Sequence, residues 1–323
     1  MRLVVFLIAL VVFAQAQPGK ANEVGDRPIG ILLAAGDIAN CGSDHAHYVE
    51  VAKGLAAEIA KVDAQKIPIR VVALGDLAYQ NGSKSYAKCF EDFLTTWGAA
   101  ADGRLLPIPG NHDYSDDSSP NAGTYFDHFK NFYDGLSVKS SRGSYVYEFP
   151  AGAEGAWLLL GYNYYGGRDR ELRFLKQASA QMKHQCILAF SHVFYLSSGH
   201  HGSLQTNNTL QYDQMRPMVD FLLDRHAEIL LSAHDHDYEV FEPFGLGIKP
   251  TEGSGVRQFV VGTGGAPLYA DNAKVRHKLS QEFQNSDAGF LKLALYRDHY
   301  AWSYVTVRDG EFTESETHQS VCW

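Results

Sequence analysis

Ile69-Arg70-Val71-Val72-Ala73-Leu74-Gly75-Asp76-Leu77-Ala78-Tyr79 sets an almost unbroken apolar run against a Gly-Asp turn. A run of that length and composition reads as a short strand covered on both faces. The pattern recurs. Ile29–Ala35 leads into Gly36-Asp37, and Arg104–Ile108 into Gly110-Asn111-His112-Asp113. Cys186–Phe190 leads into Ser191-His192, and Ala227–Leu231 into His234-Asp235-His236-Asp237. Trp157–Leu160 is a further apolar run, and helical patterns cover His45–Lys61, Ser83–Thr96, Arg168–Lys183 and Thr209–Arg225. Strands alternating with helices predict an α/β core. After residue 255 the texture changes: Arg257–Val261, Phe290–Arg297, Tyr300–Arg308 and Glu311–Glu316 alternate as antiparallel strands do. With neither a low-complexity linker nor an internal repeat, one domain is expected over residues 28–323.

The chain has 323 residues, 45% apolar and 20% charged, which excludes a disordered or collagen-like protein. The net charge of −9 argues against coating nucleic acid or an anionic membrane, both of which need a basic face. Arg2, the apolar run Leu3–Phe13 and Ala14-Gln15-Ala16 form the pattern of a secretory signal peptide. The run falls short of the roughly 20 residues that span a bilayer. Residues 1–16 are therefore read as a signal peptide and 17–27 as a flexible leader. Removing Arg2 leaves 27 basic against 37 acidic residues, net −10. With no second long apolar run, a secreted or periplasmic protein free of the membrane is expected. Four cysteines, Cys41, Cys89, Cys186 and Cys322, fit an oxidising compartment and allow three pairings. None forms a CxxC, so a zinc ribbon is not expected.

Five strand exits thus carry carboxylate, amide or imidazole groups, and ligands of an open α/β sheet bind beyond the carboxyl ends of its strands. Any one of these turns is a weak signal; in strand order they converge. Carboxylates, imidazoles and an amide oxygen without thiolate suit iron, zinc or manganese. The donors are too many for one ion. A pair of metals sharing one carboxylate accounts for them, and such pairs typically hydrolyse phosphate esters.

Gly36-Asp37, Gly75-Asp76-x-x-Tyr79, Gly110-Asn111-His112-Asp113, His192 and His234-x-His236, in that order, resemble the calcineurin-like metallophosphoesterases. Tyr79, three residues after Asp76, and the loop Ser197-Ser198-Gly199-His200-His201-Gly202 resemble the purple acid phosphatase branch in its short, single-domain secreted form. The resemblance covers roughly residues 29–265 and implies a four-layer α/β/β/α sandwich of two mixed sheets flanked by helices. It implies that Asp37, Asp76, Tyr79 and His236 hold Fe(III). Asp76 would bridge to a second ion, Fe(II), Zn(II) or Mn(II), completed by Asn111, His192 and His234. The donor chemistry agrees, since a phenolate favours a trivalent ion and an Asn/His/His set a divalent one. A small phosphate monoester would bind the divalent ion and be attacked by a metal-bound hydroxide. His112 would face the substrate, to hold the phosphate or protonate the leaving alcohol, with Asp113 orienting it. His201 matches the family's second substrate-facing histidine, and His200 is its rival for that role.

The sequence departs from the family pattern in places. Ala233 stands where glycine usually precedes the first histidine of the last motif, a mild change if the torsion is ordinary. Ile38-Ala39 follow Asp37 in place of the common x-Gly. The stretch Gly161-Tyr162-Asn163-Tyr164-Tyr165 lacks the cysteine that short members often place there, so Cys186 is left to pair with Cys322 or stay free, while Cys41 and Cys89 are expected to pair and brace the first two metal loops. Gly262-Thr263-Gly264-Gly265 lacks the Lys of a P-loop and reads as a close-packed turn at the site rim. Tyr162, Tyr164 and Tyr165 are open between lining a cleft and packing elsewhere. Asn81-Gly82-Ser83 and Asn207-Asn208-Thr209 match the glycosylation sequon. Phosphodiester cleavage at the same metals, or a non-enzymatic metal-binding role, are the alternative functions. A zinc β-lactamase-type site is excluded because Tyr238 stands where its histidine is required.

Overall fold

The apolar runs form strands, and both faces of each are covered. The computed structural model describes residues 27–80, 85–115, 121–184, 186–202, 210–251, 254–269 and 275–323. The expected signal peptide, the leader up to residue 26 and both sequons lie outside the described residues. In chain order the strands are β1 (Gly30–Ala35), β2 (Ile69–Ala73), β3 (Leu105–Pro107), β4 (Tyr145–Phe149), β5 (Trp157–Gly161), β6 (Ile187–Phe190), β7 (Ile229–Ser232) and β8 (Tyr238–Phe241). They continue as β9 (Phe244–Gly245), β10 (Lys249–Pro250), β11 (Arg257–Val261), β12 (Ser280–Gln284), β13 (Ala288–Leu295), β14 (His299–Arg308), β15 (Glu311–Glu314) and β16 (His318–Val321).

One sheet runs β15-β14-β13-β1-β2-β3, with β16 also on β14; the other runs β12-β8-β11-β7-β6-β5-β4. Strands β1, β2 and β3 are parallel, and β13 is antiparallel to β1. In the second sheet β5, β6, β7 and β11 are parallel, edged by antiparallel β4 and β8. Alternate residues of the second sheet divide the core. Leu159, Leu188, Phe190, Leu231 and Phe259 pack toward the first sheet. Leu158, Leu160, Ile187, Leu230 and Val260 pack with Leu172, Leu175, Met218 and Leu222 of the outer helices Arg168–Ser179 and Leu210–Asp224. Helix Tyr48–Ala64 covers the outer face of the first sheet, against β2, β13 and β14. The result is the expected four layers. It explains runs without alternation, because period-2 residues meet apolar partners on either side. Truncating Leu231, which is fully buried, would cost about 2–5 kcal/mol.

Strands β4, β8, β12 and β16, together with the two-residue strands β9 and β10, are absent from the sequence reading. Of these, β4, β12 and β16 lie at the margins of the sheets, and β8 follows the His-Asp-His-Asp turn directly, with a buried Glu239 interrupting its apolar pattern. The helix expected over Ser83–Thr96 starts at Tyr86 under a Ser85 cap and continues through a wide π-helical turn, Leu94–Gly98, to Ala101. Asp102, at φ 44°, ends it. Cys41 pairs with Cys89 as expected, tying the loop after β1 to helix Tyr86–Phe93. Of the two alternatives for Cys186, the structure takes the bond to Cys322. Among the described residues no helix is long and apolar enough to cross a membrane.

Candidate metal centre

The carboxyl ends of β1, β2, β3, β6 and β7 deliver their exit loops to one place. The chain turns there at a local conformational cost. Asp37, Asp76 and His234 all have positive φ, at 58°, 48° and 75°. Non-glycine residues in this region cost on the order of 1–3 kcal/mol each and persist only where their surroundings hold them. Here the holding groups are visible. Asp37 Oδ2 accepts the His234 main-chain N–H at 2.8 Å, and Asp76 Oδ1 accepts that of His112 at 2.7 Å. Gly110 is required by this approach, since a Cβ there would lie 2.2 Å from Asp76 Oδ1. Ala233 is accommodated: its torsion is ordinary, and its methyl occupies space that a side chain at Gly36 would need.

The seven expected ligands fall into two clusters. In the first, the Tyr79 hydroxyl donates to Asp37 Oδ1 at 2.6 Å and lies 3.1 Å from His236 Nε2, which is 3.3 Å from the same Asp37 oxygen. In the second, His192 Nε2 lies 3.3 Å from Asp76 Oδ2 and 3.1 Å from Asn111 Oδ1. Asp76, His192 and His234 place one donor atom each within 4.8 Å of one another. Donors bound to one ion at about 2.1 Å stand about 3.0–3.4 Å apart, and the contacts of His236 with Tyr79 and Asp37 and of His192 with Asp76 and Asn111, at 3.1–3.3 Å, have that spacing. Asp37 and Asp76 are 0% and 1% exposed. Carboxylates so buried call for positive charge nearby. The residues therefore fit a pair of cations. Outward-facing backbone bonds orient the imidazoles: His192 Nδ1 meets Leu74 O at 2.8 Å and His236 Nδ1 meets Pro267 O at 2.7 Å, which leaves each Nε2 free for a metal.

Electrostatics follow. Burial works against charge on Asp76, yet His192 and His112 hold its carboxyl below the usual range. Burial likewise opposes the His192 cation, but Asp76 and Asp37 push it up to about 9. His234 is driven down to about 3 by burial and by His192. Burial and the charges of Asp37 and Asp76 hold the Tyr79 phenol protonated, well above its ordinary value. In the metal-free protein, histidine and phenol protons thus stand where cations would.

The other predicted residues separate by position. His112 is 41% exposed and lies against the Tyr79 ring at 4.4 Å, with Nε2 4.0 Å from Asp76 Oδ2. Among the described residues, the hydrogen-bond partners of Asp113 are groups other than His112. Fully buried, it accepts from Gly110 N at 2.7 Å, Leu77 N at 3.1 Å and the Tyr86 hydroxyl at 2.6 Å. It fastens the β2 and β3 exit loops to each other. His201 stacks on His234 at 4.7 Å, whereas His200 is exposed and packs on Tyr269 at 4.8 Å. Of the three tyrosines left open, Tyr165 reaches the centre, its hydroxyl 3.4 Å from Asn111 Oδ1; Tyr162 is core. The Gly262–Gly265 turn is close-packed: Gly264 N donates to Gly36 O and Gly262 N to Asp237 O.

The sequence reading missed two residues. Asp235, between the two motif histidines, accepts from Ser197 Oγ and from His201 N at 2.7 Å, and so pins the 197–202 loop. Its alternation with His234 and His236 was the available signal. Tyr269 lies beyond the glycine turn with no motif to mark it.

No curated protein matches the chain significantly. Its fold is similar to that of a purple acid phosphatase from yellow lupin (Lupinus luteus) seeds, with a TM-score of 0.67 at 18% identity. That alignment covers 91% of this chain and 54% of the lupin one, so this chain spans about half its length. GAP50, the anchor in the inner membrane complex of Plasmodium, matches with a TM-score of 0.61 at 14% identity, over 91% of this chain and 89% of that one. A dimetal phosphatase from Danio rerio matches with a TM-score of 0.58 at 13% identity, over 92% and 100%. The model of the calcineurin-like phosphoesterases matches residues 22–238, more than half of the sequence, and the chain belongs to that family.

Proposed function

We propose that this chain is a secreted dinuclear-metal phosphatase of the purple acid type, acting on small phosphate monoesters. The observation that carries the reading is the division of the donors into Asp37–Tyr79–His236 and Asp76–Asn111–His192–His234. The first set contains a phenol, which as phenolate favours Fe(III); the second suits Fe(II), Zn(II) or Mn(II). Asp76 would bridge. Bound there, two cations supply Lewis-acid charge to the phosphoryl oxygens and lower the pKa of water.

The chain's own residues do the rest. Strained exit loops fix the donor atoms before any ion arrives. His112, half-exposed over Tyr79, would hold a phosphoryl oxygen or pass a proton to the departing alcohol oxygen. His201, stacked on His234, would be the second donor. Burial, with the neighbouring His200 and His236, lowers its pKa, so that it acts as a neutral N–H donor. His200 faces outward and is a rim residue. Two disulfides and the apolar segment Leu3–Phe13 support export. The likeness to GAP50, an anchor, favours a non-catalytic second reading, against which the complete donor set speaks.

The test is metal analysis and a visible spectrum of protein purified without chelator, with hydrolysis of phenyl phosphate and of diphenyl phosphate compared. About two metals per chain, iron among them, a visible band lost in Tyr79→Phe, and faster monoester cleavage are expected. Two colourless metals overturn the iron assignment, faster diester cleavage the substrate class, and metal binding without hydrolysis the enzymatic reading.

A further inference from the structure

A second layer of rings lies over the histidines of the centre. His201 stacks on His234 with 4.7 Å between centroids and 20° between planes. Tyr269 stacks on His236 at 4.2 Å and 11°. The two outer rings are joined, the Tyr269 hydroxyl lying 3.3 Å from His201 Nε2. Both are anchored from behind. The His201 main-chain N–H is held by Asp235 Oδ1; before Tyr269, Ala266 N donates to Asp37 O, and Pro267 O accepts from His236 Nδ1. Two rings from loops 68 positions apart are therefore fixed in register over both donor clusters.

The hydrogen bond has a direction. A phenol with an ordinary pKa near 10 carries its proton throughout the range in which a phosphatase works, and a half-buried hydroxyl needs an acceptor. Among the described residues, the hydrogen-bond partner of the Tyr269 hydroxyl is His201 Nε2. An imidazole nitrogen that accepts carries no hydrogen, so with the phenol as donor the proton of neutral His201 would reside on Nδ1.

We propose that Tyr269 is a positioning residue for His201: its hydroxyl donates to Nε2, fixing the tautomer that offers Nδ1–H to the substrate phosphate. The tautomer belongs to the fold itself, while its use in turnover rests on the phosphatase reading above. Without the hydroxyl the ring reverts to the Nε2–H form that free imidazoles prefer, and the donor hydrogen then points to where the phenol oxygen stood instead of at the substrate.

The experiment is ¹⁵N–¹H correlation spectroscopy of histidine-labelled protein, metal-free and zinc-loaded, with the His201 signals assigned by their loss in His201→Asn. Wild type is expected to show His201 protonated on Nδ1 in both forms. Tyr269→Phe, which keeps the stacked ring, should show Nε2–H with zinc content unchanged. Its kcat on a monoester should fall about tenfold, with KM changed less than about threefold. Nε2–H in wild type, or an unaltered tautomer in Tyr269→Phe, overturns the proposal. Should that variant fail to fold, the wild-type tautomer alone decides. A protein that hydrolyses no monoester refutes the phosphatase reading, and the spectra still judge Tyr269.

Discussion

Asp113→Ala separates two roles for one carboxylate. The sequence pattern places Asp113 beside His112 as an orienting group; the structure gives it three other partners. Gly110 N, Leu77 N and the Tyr86 hydroxyl all donate to it, and all are buried. The two amides have no other acceptor among the described residues. Leaving a buried donor unsatisfied costs about 1–3 kcal/mol. Three donors at the lower part of that range give about 3–6 kcal/mol, a large share of the roughly 5–15 kcal/mol that holds a typical domain folded. Urea unfolding of metal-free protein, followed by circular dichroism, measures it. The pH should be 8, because burial and the Asp76 charge push the Asp113 carboxyl up to about 7 and it must be ionised to accept all three bonds. Asp113→Asn, keeping one oxygen, should lose about half as much. An Asp113→Ala protein as stable as wild type but catalytically impaired would refute the bracing role and restore the link to His112.

Asp76→Ala should abolish the binding of both ions, since Asp76 lies against His192 in the second cluster and is the expected bridge; a variant retaining two ions per chain on metal analysis overturns the bridge. Glu228, 1% exposed, accepts from Ile187 N and Trp323 N, and burial pushes its carboxyl from 4.5 up to about 7. The folded state thus holds this proton more tightly than the unfolded one, so stability is greatest below about pH 4.5 for this group and falls as pH rises through 7. The loss is about 3 kcal/mol at most, and should vanish in Glu228→Gln when metal-free unfolding is compared at pH 5 and 8; equal slopes in the two proteins would contradict it.

Much of the centre is legible in the chain because each piece is local. An apolar run followed by Gly-Asp or Gly-Asn-His-Asp encodes a buried strand and its exit within about a dozen residues, and the donor types name the class of ion. Tyr165 stays open on the sequence and Tyr269 escapes it, because nothing nearby in sequence distinguishes them from core aromatics. The partners of Asp113 are not legible in the chain because adjacency along it is not adjacency in space: the peptide turns after Asn111, leaving His112 partly exposed and Asp113 buried.

The sequence by itself determined the candidate donors, their order and the α/β class, since these follow from side-chain chemistry and hydrophobic period. Which donor meets which was decided only by the tertiary structure. Tyr79 reaches Asp37 across 42 positions and His236 across 157, and His192 reaches Asn111 across 81. Those meetings depend on how the two sheets stack and on the left-handed turns at Asp37, Asp76 and His234. The same is true of Cys186 with Cys322, and of the Tyr269–His201 layer, because strand register and loop packing are set by contacts no local pattern contains.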